Sequence, residues 1–318
     1  VQTALTKLQI ELYDEAGSGQ HVLPRNLLQL SVCNLTRFNC VLPLRRLQRL
    51  RLDRIEFDAA TAAELRQLSA LTSLTSVDLT CCERIELISI AAAGWSALPL
   101  RRLQLSPTEH DYVPKDVLLQ FPALTSLTEL NLTACGLGID PAELAAVLGK
   151  LTQLCSLTMD YANWQEQQQQ QQQEGEQQQL GLQQQQQPSA EPAASDEEGA
   201  EQAADAAAAA AGSAPESSEL AVILQGLTAD SSRMQLSHLS LNYLPIAHAE
   251  AAALAELEGL QRVHLRGCKL TDSCVSVIVL GLQQSLQLLD VADNPGITDA
   301  CLPLLAHNNT NSSHRAAC

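Results

Sequence analysis

The chain has 318 residues and a formal charge of −17, with aromatic side chains at only 3 % of positions. That charge argues against sequence-independent binding to nucleic acid or to an anionic membrane surface, and a core so poor in rings must be layered from aliphatic side chains. No apolar run is long enough to span a membrane, and the ten cysteines include no CxxC pair with zinc-ligand spacing.

In chain order, a leucine frame opens weakly at Leu5, Leu27 and Leu47 and then sharpens. It reads "LTSVDLTCC" from Leu74, "LRRLQLSPT" from Leu100 and "LTELNLTACGL" from Leu127. The third copy has the form L-x-x-L-x-L-x-x-C-x-L, a beat that fits neither an amphipathic helix nor plain alternation. A helix follows at 140–148, "DPAELAAVL", with Asp140 as N-cap and Pro141 at its first position. The frame returns at Leu154, Leu236, Leu260 and Leu286, giving ten starts. Outer segments at Thr271–Asp272 and Thr298–Asp299 carry helix-start signals ahead of apolar runs.

From Leu47 to Leu154 the starts lie 27, 26, 27 and 27 residues apart, whereas the first two spacings are 22 and 20. The heptapeptide "LPLRRLQ" occurs at 42–48 and again at 98–104, in registers that differ by three residues. One gap, Leu154 to Leu236, is 82 residues. The excess over one period matches a stretch at 165–219 that holds eleven Asp/Glu and no Lys or Arg. Sixteen Gln fall within 165–187, and Ala, Glu, Ser and Pro dominate 190–216. Such a segment buries too little apolar surface to offset chain entropy, so it reads as a disordered insertion on the convex side. The expected organisation is seven repeats over 1–164, an insertion at 165–218, three repeats over 219–306 and a flexible tail at 307–318. A start at Val1 reads as a fragment of a longer protein.

This pattern resembles the leucine-rich repeat superfamily, in its cysteine-containing (F-box-protein-like) or ribonuclease-inhibitor-like form. The resemblance implies an α/β leucine-rich repeat solenoid: a curved horseshoe with parallel strands on the concave side and helices on the convex side. In that fold each L-x-L places two side chains on one strand face, and stability comes from stacking because no repeat buries its apolar face alone. The resemblance explains Cys135, Cys82 and Cys268 as packed thiols in a turn slot usually given to Asn. Buried free thiols favour a reducing compartment, so a cytoplasmic location is expected, with the nucleus and ciliary axoneme as alternatives.

No P-loop, Rossmann fingerprint, HExxH or GxSxG motif occurs, so no catalytic residue, cofactor or metal site is expected. The expected function is non-enzymatic binding of a protein partner on the concave face, where the residues between the rung leucines point. Candidate contacts are Arg49, Arg51, Arg54 and Arg102, then Glu129, Asn131, Asp160 and Tyr161. His238, Asn242, Tyr243, Arg262, His264, Arg266 and Asp290 complete the set. Arg49, Arg51, Arg54 and Arg102 read as a basic patch, and Tyr161 and Tyr243 as aromatic anchors at one repeat position. Alternatives implied by resemblance are substrate recognition for an SCF-type ubiquitin ligase, with the F-box upstream, and an axonemal structural role. A third is Ran-type GTPase activation, which "CGLGIDPAELAAVL" at 135–148 suggests.

Overall fold

The computed structural model describes residues 5–11, 22–35, 37–84, 94–108, 112–133, 136–160, 218–229, 235–301 and 303. Cys135, Tyr161, the 165–217 stretch and the 307–318 tail lie outside them. The chain divides into two units, Val1–Ala162 with Ser218–Cys318, and Asn163–Ser217. The described residues all belong to the first.

Ten strands form one parallel sheet: β1 Lys7–Glu11, β2 Gln29–Cys33, β3 Arg49–Asp53, β4 Ser76–Cys82, β5 Arg102–Pro107, β7 Glu129–Asn131, β9 Ser156–Thr158, β10 His238–Ser240, β11 Arg262–His264 and β12 Leu288–Asp290. Two short strands, β6 Tyr112–Pro114 and β8 Gly136–Gly138, pair separately, also in parallel. Each of the ten strands begins two residues after a leucine that heads a repeat in the sequence. This is an α/β leucine-rich repeat solenoid.

With the first strand residue of each repeat as position 0, the side chains at −2, +1 and +3 form the core. Leu127, Leu130 and Leu132 are at most 1 % exposed, as are Leu154, Leu157 and Met159. The register is continuous, Leu130 facing Leu157, Leu157 facing Leu239 and Leu239 facing Val263. Each such side chain contributes roughly 1.5–3 kcal/mol by burial, and only because a neighbouring repeat covers it. In the repeat of β12, beyond which the described residues hold no further strand, Leu286, Leu289 and Val291 are half-buried. A second ladder runs at −1, where one carbonyl accepts two N–H groups from the next repeat. Thr128 O receives Cys155 N and Ser156 N at 2.8 and 3.0 Å, and Cys155 O receives Ser237 N and His238 N at 2.9 and 3.0 Å. Thus β9 and β10 pair directly across the 82-residue sequence gap.

Outer segments differ between the two ends of the chain. The expected N-caps hold: Asp140 accepts from Ala142 N at 2.8 Å to start α3, Pro141–Gly149, and Thr271 accepts from Cys274 N to start α6, Asp272–Gly281. Between them, α4 (Glu219–Ala229) and α5 (His248–Ala255) complete a row of four α-helices. Small residues let the row pack closely, since a Cβ on Gly226 would lie 2.3 Å from Ala145 Cβ and one on Gly281 2.4 Å from Ala255 Cβ. After Thr298 the described residues include a 3-10 turn, Asp299–Cys301. Toward the N-terminus, α1 (Ala59–Arg66) and the single turn α2 (Lys115–Leu118) alternate with 3-10 turns at Phe38–Cys40, Gln67–Ala70 and Phe121–Ala123. The 20-residue repeat is too short to return through a full helix. Phe38, Phe57, Trp95 and Phe121 fill this half and are at most 1 % exposed.

The duplicated heptapeptide has a physical explanation. Buried slots at −5, −2 and +1 are three residues apart, so a three-residue slip still seats its leucines. The first copy puts Leu44 and Leu47 at −5 and −2, and the second puts Leu100 and Leu103 at −2 and +1, all at most 1 % exposed. Position +6 is the turn slot. The Cys82 thiol donates to Leu52 O and Thr80 O at 3.6 and 3.4 Å, and the Cys268 thiol to Leu241 O and Arg266 O at 3.0 and 3.5 Å. Asn294 Nδ2 reaches the equivalent carbonyls, Leu265 O and Ala292 O, at 2.8 and 3.1 Å. Its Oδ1 also accepts from Leu270 N at 3.0 Å. Asn294→Ala is therefore expected to cost roughly 1–3 kcal/mol by orphaning buried backbone groups, and Asn294→Cys distinctly less. Urea unfolding of the two variants checks this; equal losses would mean that the slot does not work through the shared acceptors.

Candidate interaction surface

Positions 0 and +2 alternate with the rungs and face away from the core. Arg49, Arg102, Glu129, His238 and Arg262 occupy position 0 of their strands, and Arg51, Asn131, His264 and Asp290 occupy +2. The strand period thus assembles these candidates on one face. Charge pairing then ties neighbours together, Arg51 to Asp78 at 3.7 Å and Arg102 to Glu129 at 2.9 Å, and His264 Nδ1 lies 3.6 Å from Asp290. Burial raises the Asp78 carboxyl above its usual range, although the Thr80 hydroxyl and Arg51 both pull it down. Burial also lowers His238, and the charge of Arg262 beside it adds to the shift.

A polar chain runs along the strand ends at +4. Asp160 Oδ1 accepts from Ser240 Oγ and Asn242 N, both at 2.9 Å. Asn242 Nδ2 donates to Ser240 Oγ at 2.9 Å, and its Oδ1 accepts from Arg266 N at 2.9 Å. Arg266 Nε donates to Asp293 at 2.7 Å. Asp160, Asn242 and Arg266, 106 residues apart in sequence from first to last, are therefore one network.

Position +5 was not anticipated as a conformational feature. Asn34, Arg54, Cys81, Tyr243, Gly267 and Asp293 all adopt left-handed backbone there, with φ between 50 and 66°. A residue with φ > 0 reverses the chain after the strand, at an energetic cost for side chains other than Gly. The Tyr243 ring lies over Gly267, whose added Cβ would meet it at 2.7 Å. Tyr243 is 49 % exposed, and Tyr161, the partner expected from sequence, lies outside the described residues. Arg54 stands at this bend rather than in the row of Arg49 and Arg102.

Arg54 and Cys81 also line a pocket of about 730 Å³ at the carboxyl ends of the strands, with Asn34, Glu56, Asp58, Thr61 and Glu83. The vicinal cysteines part here: Cys81 is exposed, while burial pushes the Cys82 thiol up to about 12. Burial does the same to Cys268. Among the described residues no group of three or more His, Cys, Asp or Glu side chains is placed to hold a metal ion, and no helix is long and apolar enough to cross a membrane.

No family model matches the chain, and no curated protein matches it. Among solved structures it is similar to an internalin from Listeria monocytogenes, at 16 % identity over 94 % of this chain and 84 % of that one, with a TM-score of 0.38.

The two neighbouring thiols give a direct check of the rung-and-bend geometry. Iodoacetamide at pH 8, followed by peptide mapping, should alkylate Cys81 in the folded protein and reach Cys82 and Cys268 only after unfolding. Comparable labelling of Cys82 in the native state would contradict the geometry.

Proposed function

We propose that this chain is a non-enzymatic protein-binding module that presents the concave, strand-lined face of its solenoid to a protein partner. The observation that carries this reading is the polar chain from Asp160 through Ser240, Asn242 and Arg266 to Asp293, with Tyr243 held against Gly267 beside it. It fixes the side chains before any partner arrives, which lowers the ordering cost of association. Exposed Tyr and Arg on a rigid frame are the residue types that anchor interfaces, and extended repeat surfaces bind chiefly through such faces. Tyr161 belongs to this proposed site by its repeat position. The buried thiols of Cys82 and Cys268, engaged as hydrogen-bond donors, support a reducing compartment such as the cytosol.

Affinity purification with the wild-type chain and with a Tyr243→Ala, Arg262→Ala, Arg266→Ala variant tests the proposal. The variant should lose most of the partner recovered by wild type while keeping its circular dichroism and unfolding midpoint. Undiminished recovery would refute a concave-face site.

A further inference from the structure

The amino ends of the first strands carry a charge pattern unlike the rest of this acidic chain. In the segments that lead into β2 to β5, namely 22–29, 41–49, 66–76 and 94–102, there are seven arginines and no Asp or Glu. Arg25, Arg45, Arg46, Arg66 and Arg101 precede the strands, and Arg49 and Arg102 head them; all seven are exposed. Acidic residues of the same repeats gather at the opposite ends of the strands, where Asp53, Glu56, Asp58 and Glu83 sit. A basic residue in the last turn of an α-helix is stabilised by the helix dipole, and Arg66 of α1 fits that account. Arg45 and Arg46 do not, because the segment before them contains only the Phe38–Cys40 3-10 turn. Among the described residues Arg102 pairs with Glu129 and Arg45 donates to Ala70 O at 2.8 Å. The rest make no ion pair there.

We infer that this edge is a docking site for a short acidic segment of a protein partner. The inference rests on the protein-binding reading above and names the chemistry that one edge of the module would select. The backbone beneath the arginines is stiff, since the −1 carbonyls of Leu28, Gln48, Thr75 and Arg101 each accept two N–H groups from the next repeat. Thr75 and Thr128 hydroxyls add bonds to Gln48 O and Arg101 O at 3.1 and 3.0 Å. Strands about 4.8 Å apart place the edge from β2 to β5 over roughly 14 Å, the length of four or five extended residues. A narrow acidic strand fits along that row. A nucleic-acid duplex or a membrane plane, being broader, would also meet the acidic strand ends and the −17 charge of the whole chain.

The test uses the full chain and a fluorescein-labelled twelve-residue Glu/Asp/Gly peptide, read by anisotropy. Parallel titrations use a labelled DNA duplex and vesicles containing phosphatidylserine. Saturable, salt-sensitive peptide binding is expected, weakened at least about tenfold by Arg46→Glu with Arg101→Glu, each a two-unit charge reversal at the contact. Arg46→Gln with Arg101→Gln should weaken it less at an unchanged unfolding midpoint, and Lys269→Glu, exposed beyond the carboxyl end of β11, should leave it within about twofold. No saturable peptide binding, equal affinity in the rim variants, or preference for the duplex or vesicles would overturn the inference. Partner recovery that still depends on Tyr243 and Arg266 would then leave the concave-face reading standing.

Discussion

A rung in this protein is buried only by the rung beside it. Leu130, Leu157, Leu239 and Val263 stand in one continuous register, and each is at most 1 % exposed because repeats on both sides close over it. The same requirement sets the backbone, where each −1 carbonyl from Thr6 to Gln261 is shared by two amides of the following repeat. The requirement acts between strands, so β9 and β10 pair in register although 82 residues separate their repeat starts in sequence. At Leu286 and Leu289, beside β12, beyond which no strand is described, burial falls off.

Much of this was legible in the sequence because the leucine slots are local. Ten repeat starts located ten strands, and Asp140 and Thr271 marked two helix starts. The Cys/Asn equivalence at the turn was correct in kind, and the structure supplies its reason: a thiol and a carboxamide reach the same two backbone carbonyls. Less was legible where side-chain volume replaces pattern. Phe38, Phe57, Trp95 and Phe121 plug the irregular half, and no periodicity announces where such rings go. The three-residue slip of "LPLRRLQ" looked anomalous in one dimension and is natural in three, since adjacent slots accept the same leucines.

The surface was readable to the level of a face, not of a network. Alternation placed Arg49, Arg102, His238 and Arg262 outward in one row. It did not show that Asp160 and Asn242, 82 positions apart, share a hydrogen bond, because alternation gives the face a side chain occupies and not the rotamer that aims its polar atoms. Nor did it separate Arg54 and Tyr243 from the strand rows, since the left-handed backbone at +5 tolerates Asn, Arg, Cys, Tyr, Gly and Asp alike and leaves no residue signature. A repeat that fixes its backbone so firmly leaves these exposed positions chemically free, which supports the proposed binding role.

Stacking across the insertion is the claim on which the account turns, and Leu157 and Leu239 face each other there directly. A double-mutant cycle with Leu157→Ala and Leu239→Ala, read by urea unfolding, measures their coupling. The account predicts an interaction energy of roughly 0.5–3 kcal/mol, as for side chains in contact. Strict additivity of the two losses would mean that the rungs before and after the insertion do not touch, and the solenoid described here would be wrong.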